Sequence, residues 1–189
     1  LMKKWFKKQW SNILFIFFLG GLFYTPSKVW FLRQISFSPS IIAEEDRITV
    51  TDFNWELKGI NVSDTSLEDS IGQYTLVSFW ATWCKPCKLE LNTIADEYDD
   101  WVEETGVKLV AVSIDDQRTV KSVKPTVNAN GWDYDIWLDT NSDFKRAMGV
   151  NFVPHTFLLD GNGTIVYSHN NFVPGDEEEL YEQILKISK

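Results

Sequence analysis

Residues 74–87 read YTLVSFWATWCKPC, and the change of character within this stretch decides the fold. The first eight positions are β-branched, aromatic or small and carry no charge, as a strand buried on both faces requires. Beyond them, Cys87, Leu91, Ile94, Ala95, Tyr98, Trp101 and Val102 recur at spacings of three and four, which predicts an amphipathic helix with Cys87 on its apolar stripe. Cys84 then opens the helix and Cys87 faces inward. These are the only two cysteines in 189 residues. Two intervening residues let both sulphurs share the first helical turn, where they can alternate between a dithiol and a small-ring disulfide. Zinc sites also use Cys-x-x-Cys, but they supply a second pair of ligands, so no metal site and no cofactor beyond this disulfide are expected.

Working outward, residues 107–114 read as a second buried strand, 117–130 as a helix despite Pro125, and 134–138 as a third strand. A short helix over 141–148 ends at Gly149. Strands over 155–160 and 164–168 flank the turn Gly161-Asn162-Gly163 as an antiparallel hairpin. Residues 176–187 form a closing helix with an acidic first turn and a lysine in the last, which suits the helix dipole. Upstream, 48–53 and 54–58 look like short strands broken by Gly59, and 64–70 like a helical turn. The pattern, βαβ followed by ββα, implies an α/β fold with a central mixed sheet flanked by helices.

The beginning of the chain differs. Lys3, Lys4, Lys7 and Lys8 precede an uncharged window from Gln9 to Ser27 that contains the apolar run 13–24. This is a secretory targeting or anchoring segment over residues 1–34, joined by a polar linker, 35–47, to a domain over 48–189. The apolar run is shorter than the roughly 20 residues of a comfortable span, yet no small-x-small cleavage site follows it closely. An uncleaved anchor with its lysines in the cytoplasm, a cleaved signal and an apolar soluble helix all remain open. Residues 1–43 hold six basic and no acidic side chains, leaving 12 basic against 27 acidic in residues 44–189, a net of −15. Nucleic acid is therefore not an expected partner. The acidity serves solubility or steers basic proteins, and it selects no substrate.

The segment 79–87, FWATWCKPC, followed by Val153-Pro154 and by residues 156–160, TFLLD, resembles the thioredoxin superfamily, and within it the TlpA/ResA-like branch of membrane-anchored thiol–disulfide oxidoreductases. The resemblance covers roughly residues 48–189. It implies a thioredoxin-like fold and a protein disulfide reductase working through Cys84 and Cys87. At a helix start, Cys84 faces the positive end of the dipole and unpaired N–H groups, which favour its thiolate and make it the nucleophile. Cys87 then resolves the mixed disulfide. Lys85 is either a further thiolate-stabilising cation or an inert surface residue, and Pro86 sets helix entry.

The resemblance implies a cis Val153–Pro154 bond packed against the dithiol, with the backbone at Val153 pairing with a bound partner; from the residues alone, a trans loop proline stays open. Trp83, beside Cys84, belongs with Pro86, Val153 and Pro154 in the substrate-binding surface. Glu90 has no opposite charge at i±3 or i±4, and the resemblance gives it a place beside the thiols as a catalytic carboxylate, the alternative being a solvated helix acid. Ser78 stands where thioredoxin has a buried aspartate, so Glu90 is the candidate to replace it. His155 is either structural or a pH or metal ligand, and His169 reads as packing or surface.

The resulting expectation is an enzyme tethered by a single N-terminal anchor to the cytoplasmic membrane, its domain facing the periplasm or cell exterior, and reducing disulfides of envelope proteins, apocytochrome c among the candidate clients. An oxidising compartment demands an electron source, and the resemblance implies a membrane thiol transporter of the DsbD or CcdA type. Two alternatives remain. A copper-binding chaperone of the same fold would use the cysteines with His155 or His169, although its cysteines are usually spaced one residue wider. A thiol peroxidase would want a Thr-x-x-Cys context, and Thr82-Trp83-Cys84 offers only one intervening residue.

Overall fold

A computed structural model describes residues 40–42, 47–50, 55–62, 65–66 and 72–188. The expected anchor over 1–34 and most of the linker lie outside the described residues, and no helix among the described residues is long and apolar enough to cross a membrane.

The elements are β1 (Ser40–Ile41), β2 (Glu56–Gly59), β3 (Thr65–Ser66), β4 (Thr75–Trp80), α1 (Lys85–Thr105), β5 (Lys108–Ser113), a 3-10 turn (Val120–Ser122), α2 (Val123–Asn130), β6 (Asp135–Leu138), α3 (Asp143–Ala147), β7 (His155–Leu159), β8 (Ile165–Asn170) and α4 (Asp176–Ile187). Among the described residues the strands form one sheet in the order β1-β8-β7-β4-β5-β6-β2-β3. β4, β5 and β6 run parallel, and β7 lies antiparallel to β4. This is the mixed α/β sheet expected, thioredoxin-like in its βαβ then ββα order.

β4 sits in the middle, and alternation along it sorts the core. Leu76 and Trp80 pack with Leu91 and Ile94 of α1 and with Leu180 and Ile184 of α4. Val77 and Phe79 point the other way, to Trp137, Phe144 and Phe157. Because both faces are covered, every residue of β4 is buried, as its uncharged sequence predicts. Trp101 of α1 stacks on Tyr181 of α4 at 5.3 Å and 13°, which ties the two helices together on one face. Val102, expected on the apolar stripe of α1, is instead an exposed residue; a helix on a flat sheet buries a stripe narrower than its apolar residues can fill.

Four expectations shift. Pro125 is accommodated because the run over 117–130 splits into a 3-10 turn and α2, leaving the proline in the first turn of α2, where its missing N–H has no intrahelical partner to lose. Residues 65–66, inside the expected helical turn, pair antiparallel with β2, whose outer edge offers unpaired backbone groups; the rest of 64–70 lies outside the described residues. Of the strand expected over 48–53, residues 48–50 make a single bridge, Thr49 to Thr164, and 51–53 lie outside the described residues. Ser40 and Ile41, read as tether, pair with β8.

α3 depends on one side chain beyond its own start. Buried Asp139 accepts the N–H groups of Asp143 (2.9 Å), Phe144 (3.3 Å) and Lys145 (2.8 Å), satisfying donors that a helix N-terminus leaves unpaired. Phe144 is thereby held against Phe79 at 5.4 Å and Trp55 at 5.5 Å. Asp139→Ala is expected to lower unfolding stability by about 2 kcal/mol, read as a fall in the urea midpoint at constant slope; an unchanged midpoint would show that the cap carries no stability.

Candidate active site

The site forms where β4 ends. With β5 bonded along one side and β7 along the other, the last residues of β4 have no freedom, and beyond them Cys84 N–H donates to the Ala81 carbonyl at 3.0 Å. Asp115, fully buried after β5, fixes the turn: its carboxylate accepts the Thr82 N–H at 2.8 Å, the Thr82 hydroxyl at 2.6 Å and the Ser113 hydroxyl at 2.9 Å. Sequence reading missed Asp115, which is 33 residues from Thr82 and has no local signature.

Cys84 is the N-cap of α1, with extended backbone (φ −86°, ψ 104°), and its Sγ accepts the Cys87 N–H at 3.2 Å. Pro86 lies in the first turn, where no N–H is needed. Cys84 and Cys87 are joined in a disulfide with Cα atoms 5.4 Å apart. Cys84 is 5 % exposed and Cys87 0 %, so both are buried and Cys84 is the less completely covered of the two. Lys85 is exposed and Lys88 half-buried on the same turn.

The pairing of Phe79 with His155 sets the start of β7 beside the end of β4, bringing Val153 and Pro154 to the disulfide end of the sheet. The Val153–Pro154 bond is cis, as the resemblance implies, and Val153 packs on the core that contains both cysteines. Trp83, 62 % exposed, and Phe152, 54 % exposed, adjoin Cys84 and Val153 in the chain. Phe152 escaped the sequence reading; its signal was its place directly ahead of Val153-Pro154.

One turn beyond Cys87 on the same helix, Glu90 is only 2 % exposed, which removes the reading as a solvated acid. The Thr156 hydroxyl lies 2.7 Å from Glu90 Oε1 and 2.9 Å from Ser78 Oγ. With one proton to give, it donates to the carboxyl, the stronger acceptor, and accepts from Ser78. Ser78 therefore holds Glu90 through Thr156 rather than supplying a carboxylate itself. Burial pushes the Glu90 pKa up to about 7, against the opposing pull of the Thr156 hydrogen bond and of His169. A carboxyl that titrates near neutrality within a turn of a thiol can take and return that thiol's proton.

His155 stacks on Phe157 at 4.2 Å and places Nε2 3.0 Å from Ser168 Oγ. Burial, with His169 adding to it, pulls its pKa down to about 4, so it is neutral at physiological pH. His169, 6 % exposed, lies 3.3 Å from Asp176 Oδ2 of α4. No local pattern marks His169 and Asp176 as neighbours of Glu90, which stands on another element far from both in the chain.

A sequence model of the AhpC/TSA family matches residues 49–168. The thiol–disulfide oxidoreductase ResA of Bacillus subtilis strain 168 is 31% identical over 113 residues, covering 60% of this chain and 62% of its own. The chain thus spans less than two thirds of the length of that relative. A thioredoxin-like protein from Porphyromonas gingivalis is 43% identical with a TM-score of 0.62, over 71% of this chain and 90% of that one. StoA from Bacillus subtilis is 31% identical with a TM-score of 0.58, over 68% and 93% respectively.

The two buried titrating groups act on stability with opposite sign. The folded-state pKa of Glu90, about 7, lies above its ordinary 4.5; its contribution is complete below pH 4.5 and is lost as pH rises through 7. The folded-state pKa of His155, about 4, lies below 6.5; its contribution is complete above pH 6.5 and is lost as pH falls through 4. Glu90→Gln is expected to gain on the wild type as pH rises, by up to about 3 kcal/mol at pH 8, while His155→Gln loses the rise between pH 4 and 6.5. Urea unfolding of the oxidised protein across this range measures both; parallel Glu90→Gln and wild-type profiles would refute the assignment.

Proposed function

Since the chain belongs to the AhpC/TSA family, we propose that it is a thiol–disulfide oxidoreductase whose working groups are Cys84 and Cys87. The observation that carries this reading is the disulfide at the start of α1, with Cys87 fully buried and Cys84, at the helix cap, nearly so. In the reduced protein, the Cys87 N–H that now meets Cys84 Sγ, together with the N-terminus of a 21-residue helix, stabilises a Cys84 thiolate. That thiolate attacks a partner disulfide, forming a Cys84–partner bond and releasing one partner sulphur as thiolate. Cys87 gives its proton to the Glu90 carboxylate and attacks Cys84 Sγ; the mixed disulfide breaks and the second partner sulphur leaves as thiolate. Two electrons have passed to the partner, and the enzyme is left with Cys84 and Cys87 joined.

In this reading Trp83, Pro86, Val153 and Pro154 receive the partner, with the Val153 backbone pairing with it as an added strand; Phe152 extends the apolar rim. The finer proposal is a reductase of envelope disulfides, held at the cytoplasmic membrane by residues 1–34 with its domain on the outer side. Its support is the apolar run 13–24 led by Lys3, Lys4, Lys7 and Lys8. Reduction there consumes electrons, so a membrane dithiol donor of the DsbD or CcdA type must regenerate Cys84 and Cys87, and apocytochrome c is a client of suitable chemistry.

Two measurements on the full-length chain in detergent test this. Cys87→Ser is expected to accumulate a mixed disulfide with a disulfide-bearing partner, and Cys84→Ser none; equal trapping by both would overturn the order of attack. The reduction potential, read by tryptophan fluorescence in dithiothreitol buffers, is expected near −270 mV, as for a reductase, and a value near −120 mV would make the protein an oxidant.

A further inference from the structure

Behind the disulfide, where α1, β8 and the start of α4 meet, lies a cavity of about 10 Å³ lined by Glu90, Tyr167, His169, Asp176 and Glu177 with apolar side chains between them. That is the space one water molecule needs. Three buried atoms of its lining side chains have no partner in the protein, Glu90 Oε2, Tyr167 Oη and His169 Nδ1, while His169 Nε2 makes no hydrogen bond and has only the ion-pair contact with Asp176. Leaving such an atom unpaired carries its full desolvation cost, and a buried water typically makes about three hydrogen bonds to groups of this kind. The lining then reaches outward: the His169 side chain is 7% exposed and the Asp176 side chain 18%, with 3.3 Å between Nε2 and Oδ2. Asp176 Oδ2 is itself positioned by the Val173 N–H at 2.8 Å.

We propose that one buried water occupies this cavity and joins the Glu90 carboxyl to His169 and, through Asp176, to solvent, so that protons enter and leave the active site on the α4 side of the domain. The inference rests on the thiol–disulfide reading of Cys84 and Cys87. A partner docked over Trp83 and Pro154 closes the other face at the moment when Cys87 must lose a proton. Cys87–SH passes its proton to Glu90, which passes it through the water to His169. The imidazolium, paired with the Asp176 carboxylate, releases it to solvent. No electrons move in these transfers. His169 and Asp176 act through Glu90 and are positioning residues.

The groups facing Glu90 set the direction of each perturbation. They are Thr156 of β7, Tyr167 and His169 of β8, Asp176 and Glu177 of α4, and Tyr134 before β6. His155, also on β7, acts on His169. Among them His169 lowers and Asp176 raises the Glu90 pKa, and burial keeps Tyr134 and Tyr167 protonated.

The test is made on the reduced full-length chain mixed with Ellman's reagent. Cys84 forms a mixed disulfide with thionitrobenzoate, and Cys87 then expels it, read at 412 nm across pH 5 to 9. His169→Gln and Asp176→Asn are each expected to slow the second release about tenfold at pH 7. The midpoint of its pH profile should move up in His169→Gln and down in Asp176→Asn. In His169→Ala, added imidazole should restore the rate. Profiles matching the wild type, midpoints moving together as a packing defect would move them, or no imidazole rescue would each overturn the relay while leaving Cys84 and Cys87 as the exchanging pair. Absence of the second release in the wild type would instead remove the thiol–disulfide reading, and the relay with it.

Discussion

The reactive end of this protein depends on β4 having nowhere to move. Hydrogen-bonded to a parallel neighbour on one side and an antiparallel neighbour on the other, β4 delivers residues 81–84 to a single place, and the Asp115 carboxylate fastens the turn there. The helix that begins at Lys85 inherits that position, so Cys84 is held at its cap and Cys87 is sealed in its first turn without any choice left to the loop. A binding site carried by a loop alone would need its own network to reach the same definition.

Much of this was legible in the residues. The uncharged run of β4 and the three-and-four spacing of α1 are local signals, strong because a doubly covered strand and an amphipathic helix impose different periods. The helix over 176–187 was equally plain, with four acids in its first turn. Glu90 was half legible: the absence of a local ion-pair partner marked it as unusual, but its burial depends on Thr156, 66 residues away. Asp115, Asp139 and the His169–Asp176 contact left no trace, because each acts on backbone or side chains that no local pattern connects to it. The pairing of Thr65–Ser66 with β2 was hidden for a related reason: two residues are too short a run to show a period.

Glu90 and His155 also show how the fold distributes ionisable groups. Both are buried, and burial favours the neutral form of each, so one pKa rises and the other falls. Their neighbours differ in kind. Glu90 keeps an oxygen without a protein partner beside a water-sized space, whereas His155 is occupied by Ser168 and Phe157. The carboxyl is left able to change its proton, and the imidazole is built into the sheet.

The strand order has a consequence for life at high local concentration. Among the described residues both outermost strands, Ser40–Ile41 and Thr65–Ser66, are two residues long. A long bare edge would act as a template for another copy of the chain. Strands this brief blunt that hazard. The six-residue β4 at the middle of the sheet is paired along its length with β5 on one side and with β7 on the other.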